Sequence, residues 1–303
     1  MAYRKFFDLR FLDSLYQINV SPLEQAETDP MRFAISGFYD RLAASPSSAR
    51  MWNWGCDNDR LRAMVAGHAA VGSDGYSEQL YARACIAEIC RSEPGSIIVD
   101  IGCGAGQGTM LLARINPMIN FVGLDLSSLA IAAAQDGDRP GNARFVNGSY
   151  NEIAERVGPA SHAISVESMH NYPSIAGFLT AIARVLQPGG VMSIVDFFTR
   201  PRRDALEQCL KHQKAWTLEQ DDDISADVRL AISRRVTDLH HVTRQTERNV
   251  MKRYLATQGR EIMFGAQFLD RRDSLLGLLV RVMSRGRVMK LDSYRHLVLR
   301  RTP

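Results

Sequence analysis

"GSIIVDIGCGAGQG", residues 95–108, is the stretch on which the reading of this chain turns. Residues 97–101 form a short apolar run that stops at Gly102, Gly104 and Gly106, the pattern of a buried strand ending in a sharp turn. Glycines two apart let the backbone bend without Cβ clashes. They also bare the main chain to a ligand, and the following "GTMLLARI" offers that ligand a helix N-terminus. The spacing is G-x-G-x-G and departs from the G-x-G-x-x-G of dinucleotide-binding turns. Asp100, two residues before the first glycine, is expected to face a ligand's ammonium group. Asp125, 19 residues after Gly106, ends the next apolar run, where a carboxylate can accept both hydroxyls of a ribose. Its alternative role is to cap the helix "SSLAIAAA".

Outward from this turn the pattern alternates. Strands are expected at 121–125, 143–146, 163–166 and 191–196, with helices "GTMLLARI", "SLAIAAAQ" and "IAGFLTAIARVLQ" between them. In the last helix Ile175, Phe178, Leu179, Ile182, Val185 and Leu186 share one stripe, and Pro188-Gly189-Gly190 ends it. Apolar strands alternating with helices imply a parallel sheet covered on both faces, a doubly wound, Rossmann-like α/β fold. Its ligand sits beyond the C-terminal ends of the strands. Upstream, "SEQLYARACIAEIC" reads as one helix capped by Ser77, and "MRFAISGFYDRLA" as another. Downstream, "RDALEQCLKH" reads as a helix, "TLEQDDDIS" as a sixth strand and "SYRHLVLRR" as a closing seventh. The expected organisation is an N-terminal helical segment (1–75), a core (76–225), a helical lid inserted before the last strand (226–290) and that strand (291–303).

Composition sets the bounds. With 303 residues, 46% of them hydrophobic and 23% charged, the chain can bury a substantial core. A net charge of +4 with scattered pairs such as Arg202-Arg203, Arg234-Arg235 and Arg271-Arg272 describes solvated helix faces, so no nucleic-acid partner is expected. The five cysteines show no paired C-x-x-C spacing, so neither a metal site nor a disulfide framework is expected. The N-terminus lacks the uninterrupted apolar core of a signal peptide, and no apolar run reaches membrane-spanning length. A cytoplasmic protein is expected, and the long extra helices suggest a homodimer.

The ordered series "VDIGCGAGQG", "VGLDLS", "ARFVNGSY", "VESMHNYP" and "RVLQPGGVMSIVDFF" resembles the motifs of class I S-adenosylmethionine-dependent methyltransferases over residues 77–200. Within that superfamily it is most similar to small-molecule enzymes of natural-product and lipid biosynthesis, the rebeccamycin sugar O-methyltransferases, phthiotriolone methyltransferases and tocopherol C-methyltransferases. The resemblance implies S-adenosyl-L-methionine as cofactor and a small-molecule acceptor. It implies that Gly102, Cys103 and Gly104 contact the methionine and ribose portion near Asp100, that Asp125 binds the ribose with Leu126 beside the adenine, and that Gly148 and Ser149 border the adenine. Ser149 departs from the family pattern, where an Asp binds the adenine amino group; Asn147 is the alternative. The segment "MWNWG" stands where several of these enzymes carry aromatics near the cofactor, with Trp54 and Tyr76 as candidates for the pocket wall.

The sulfonium methyl is electrophilic already, so such an enzyme aligns an in-line attack and, for a hydroxyl acceptor, removes a proton. The resemblance to the sugar O-methyltransferases implies His170, in "VESMHNYP", as that base and Asp196, in "VDFF", as its supporting carboxylate. Glu167 braces the loop or reaches the cofactor side. Oxygen is the expected acceptor; nitrogen or carbon acceptors, a nicotinamide dehydrogenase using the same glycine turn, and a silent binding protein that keeps the fold are the alternatives.

Overall fold

The computed structural model describes residues 9–21, 24–44, 51–69, 73–136, 138–246 and 289–303. Seven strands form one sheet: β1 (Ile97–Ile101), β2 (Asn120–Asp125), β3 (Ala143–Asn147), β4 (His162–Val166), β5 (Val191–Thr199), β6 (Trp216–Asp223) and β7 (Leu291–Arg301). Their spatial order is β3-β2-β1-β4-β5-β7-β6. The first five pair in parallel, and β7 runs antiparallel between β5 and β6. The chain fills the sheet from β1 outward through β2 and β3, then returns to the other side of β1 with β4. Beyond the C-terminal ends of β1 and β4 lies the crevice that a doubly wound sheet opens to a ligand.

The parallel strands are apolar because helices bury both faces. α6 (Gln107–Ile115) and α7 (Ser128–Asp136) follow β1 and β2, and α9 (Ile175–Val185) follows β4. All six residues of the α9 stripe are buried, each side chain contributing roughly 1.5–3 kcal/mol of removed apolar surface. β6 is a different kind of strand. Its sequence, WTLEQDDD, is acidic and lies at the sheet edge, where Arg203 and Arg295 pair with Asp221 and Arg300 pairs with Glu219. Charge on an edge strand discourages pairing with further chains.

Several expectations are corrected here. The helix expected over 77–90 is two, α4 (Tyr76–Ala84) and α5 (Ala87–Cys90), joined by a break at Cys85-Ile86. Ser77 does not cap it. Gly75 holds the N-cap position at φ 78°, and the Ser77 hydroxyl bonds the Asn53 carbonyl and accepts from Arg235. β5 runs to Thr199, three residues past its expected end, because β7 pairs with it over that length.

The lid expected at 226–290 falls largely outside the described residues; what is described is the helix α11 (Ser225–Thr246). The cover seen over the crevice comes from the other end of the chain. α1 (Leu9–Val20) and α2 (Asp29–Ala43) pack together; α2 lies on α7, and α1 touches α10 (Arg200–His212) and the short turn after β4. The segment around residues 51–58 leads into α3 (Asp59–Val65) and is fastened to α11, whose Arg235 donates to the carbonyls of Asn53 and Trp54.

Candidate active site

The crevice is a cavity enclosing about 860 Å³, counting its open mouth. Its floor is the turn after β1. Gly102 sits at φ 78°, a conformation costly for any residue with a Cβ, and a Cβ there would run into Ser168. Ser168 cannot retreat, because its hydroxyl donates to the Ile101 carbonyl at 2.6 Å. Gly104, at φ 56°, lies under the Trp52 ring, 3.0 Å from where its Cβ would stand. Gly102, Cys103 and Gly104 all line the cavity, as do Asp125, Leu126, Gly148, Ser149 and Glu167.

Asp125 is fixed by the main chain. Its Oδ2 accepts from Gly104 N at 2.8 Å and its Oδ1 from Ser127 N at 2.8 Å. A carboxylate oxygen offers two lone pairs, so each still has one for a hydroxyl in the cavity. The cap of α7 is Ser127, whose Oγ accepts from Ala130 N at 3.0 Å, so Asp125 is not the cap of that helix. Burial pushes its pKa up to about 6 against the opposing bonds from Ser127 and Gly104.

Asp100 is placed differently from expectation. It is fully buried beneath the turn and does not line the cavity; its Oδ2 accepts from Thr109 Oγ1 at 2.6 Å. Oδ2 thus faces α6, while Oδ1 is buried without a hydrogen-bond partner among the described residues. Burial raises its pKa to about 7, opposed by the Thr109 and Tyr81 hydroxyls. Its role is to lock β1 to the first turn of α6, holding the glycine turn from below.

Glu167 follows β4 with φ 47°, the one non-glycine residue with positive φ among those described. Such a conformation costs on the order of 1–3 kcal/mol and persists only where its surroundings enforce it. Here they do: Oε1 accepts from Trp54 N and from the Tyr294 hydroxyl, each at 2.6 Å. Burial raises its pKa to about 8. A buried carboxyl whose pKa is raised on folding binds more protons folded than unfolded, so stability falls as pH rises toward the folded value. The melting temperature should therefore drop as pH rises from about 4.5 toward about 8, the interval between the ordinary and the folded carboxyl values. Glu167→Gln should flatten that drop in differential scanning calorimetry, and an unchanged slope would contradict the assignment.

His170 and Asp196 meet as expected. His170 Nδ1 lies 2.8 Å from Asp196 Oδ1, and His170 N donates to Oδ2 at 3.0 Å. Asp196 is fully buried and also accepts from Phe197 N at 2.8 Å, while the imidazole stacks on the Phe197 ring at 4.3 Å. This network puts the imidazole proton on Nδ1 and leaves Nε2 as an acceptor. Yet the ring is buried and does not line the cavity. Nε2 faces the Asn171 amide at 3.0 Å, and Asn171 does line the cavity, donating also to the Tyr39 hydroxyl at 3.0 Å. The link from the histidine to the cavity runs through Asn171.

Other parts of the wall carried no sequence motif. Trp52, not Trp54, lies over the glycine turn and stacks near Tyr39, with ring centroids 6.0 Å apart. Trp54 packs on Phe197 at 5.2 Å, and Tyr76 lies under Arg235; neither lines the cavity. Asn147 turns its amide to the carbonyls of Asp125 and Leu126. Ser149 heads a short turn with a capping box to Glu152. Glu27, Ile35, Tyr39 and Met51 reach the cavity from the N-terminal segment. Alternating aromatics in "MWNWG" were the available signal for Trp52; nothing local marked Glu27.

The family model described as a methyltransferase domain matches residues 98–190, from β1 to just before β5. The chain is 35% identical over 133 residues to the fatty-acid O-methyltransferase of Mycolicibacterium smegmatis, 44% of this chain and 46% of that protein. It is 30% identical over 102 residues to the phthiotriol/phenolphthiotriol dimycocerosates methyltransferase of Mycobacterium leprae, 34% of this chain and 38% of that one. The matched stretches thus span less than half the length of these relatives. The geranyl diphosphate C-methyltransferase of Streptomyces coelicolor, solved with S-adenosyl-L-homocysteine, shares the fold with a TM-score of 0.56 at 12% identity, covering 92% of this chain and 100% of that one. An S-adenosyl nucleoside fits what is built here: diol acceptors at Asp125, a floor where Cβ atoms are forbidden, and an aromatic and aliphatic wall. The family match falls on the strands and turns that form this floor, so residues 98–190 are similar to a methyltransferase domain.

Proposed function

We propose that the whole chain transfers a methyl group to a hydroxyl oxygen of a small, largely apolar acceptor of lipid or natural-product type. The observation that carries this reading is the buried His170–Asp196 pair beside the cavity, because a neutral hydroxyl must lose a proton as it is methylated and a base serves that step. When bound, S-adenosylmethionine supplies a methyl on a sulfonium, electrophilic without further activation. The glycine turn and Asp125 hold the nucleoside end in one register, with Leu126, Gly148 and Ser149 beside the base. Tyr39, Trp52 and Tyr172 exclude water from the wall. Asp196 keeps the imidazole proton on Nδ1 and stabilises the imidazolium that forms when Nε2 takes the acceptor's proton. For that transfer the Asn171 amide leaves Nε2, keeping Tyr39 as its partner. Names of relatives acting on fatty acids and phthiotriols support an apolar acceptor.

The test is methyl transfer from radiolabelled S-adenosylmethionine to a panel of long-chain alcohols, phenols and fatty acids. Alkali-stable ethers are the expected products. Exclusive formation of alkali-labile methyl esters would overturn the hydroxyl reading, since a carboxylate acceptor is already deprotonated.

A further inference from the structure

Among the described residues, three carboxylates line the cavity: Glu27, Asp125 and Glu167. Asp125 ends β2 and Glu167 follows β4, and both are engaged there by backbone and tyrosine donors. Glu27 alone arrives from outside the sheet, on the segment between α1 and α2. It stands beyond the ends of β2 and β3, with Leu126, Gly148 and Ser149 on the same wall. With the sugar held at Asp125, that is the end of the cavity to which the base must point.

The Glu27 carboxylate is held there by two side chains. Its Oε2 accepts from Asn151 Nδ2 at 2.7 Å and from Ser149 Oγ at 3.4 Å. Its segment is pinned in turn, Gln25 N donating to the Pro173 carbonyl and Glu24 Oε2 accepting from Ala176 N, both at 3.3 Å. Ser149 therefore works as a donor toward Glu27, and its backbone N–H goes to Glu152 at 3.1 Å. Among the described residues, the carboxylate acceptor that lines this end of the cavity is Glu27.

Resting on the nucleoside-binding reading above, we infer that Glu27 is the residue that recognises the purine base, accepting from the exocyclic 6-amino group of adenine and rejecting a 6-oxo purine. The chemistry is one of signs. An amino group donates to a carboxylate, whereas a carbonyl in its place sets acceptor against acceptor. The N-terminal segment is then a reader of the base as well as a cover.

Isothermal titration calorimetry with S-adenosylhomocysteine and S-inosylhomocysteine tests this without any methyl acceptor. The native protein should favour the adenosyl compound by roughly 10–150-fold, the range of a hydrogen bond to a charged group. Glu27→Ala should reduce that preference to a few-fold or less. Glu27→Gln, whose amide can donate to a 6-oxo group, should do the same while strengthening S-inosylhomocysteine binding. Adding Ser149→Asp to Glu27→Ala should restore the preference, which also shows that the variant is folded. A preference that survives both Glu27 variants overturns the proposal while leaving the cofactor site intact. Failure of the native protein to bind either nucleoside would instead remove the cofactor site itself, and this inference with it.

Discussion

Asp125→Ala should weaken S-adenosylhomocysteine binding by roughly 10²–10⁴-fold, the loss of two charge-assisted hydroxyl bonds at about 1.5–3 kcal/mol each. The argument starts from lone pairs. One on each oxygen is committed to Gly104 N and Ser127 N, and the second on each is available in the cavity. Removing the carboxylate also frees Gly104 N, so the turn that cradles the nucleoside loosens together with the contact. Analogues lacking the 2′- or 3′-hydroxyl separate the two effects. In the native protein each deletion should cost affinity; in Asp125→Ala neither should cost more, the signature of an interaction removed once. Affinity surviving within a few-fold would show that the sugar is held elsewhere.

His170→Ala should slow methylation of a hydroxyl acceptor by roughly 10²–10⁴-fold, the usual range for a lost general base. Cofactor affinity should change less than the rate, because the imidazole does not line the cavity. Asp196→Asn should act in the same direction through the tautomer. An amide can donate to Nδ1 and drive the proton to Nε2, which then has no lone pair for the acceptor. Both substitutions touch a buried, stacked network, so circular dichroism and S-adenosylhomocysteine titration must accompany the kinetics. Turnover unchanged in His170→Ala would mean that alignment alone drives the reaction.

Much of this molecule could be read from local sequence. The parallel strands announced themselves as mostly apolar runs, β1 closed by glycine, and α9 by its stripe, because burial on both faces favours apolar residues. Asp125 was legible because a strand end carrying an acid beyond a glycine turn has few other uses. The errors were tertiary. Cys85-Ile86 interrupts a segment whose composition is helical throughout. Ser77 looks like a cap and is spent on Asn53 and Arg235. Asp100 sits at the expected position, but its side chain turns under the sheet to Thr109. Trp52 and Trp54 are two residues apart in one aromatic run, and only packing against Gly104 and Phe197 assigns them different tasks.

By itself the sequence determined the doubly wound core and the glycine turn, since each follows from short-range periodicity and from residue types with narrow conformational uses. The tertiary structure alone decided what encloses them. It brought Glu27, Tyr39 and Trp52 across about 50 residues of chain or more to the cavity wall. Contacts between segments so far apart leave no pattern in either one, because each side chain is chosen for a surface that exists only once the sheet has formed.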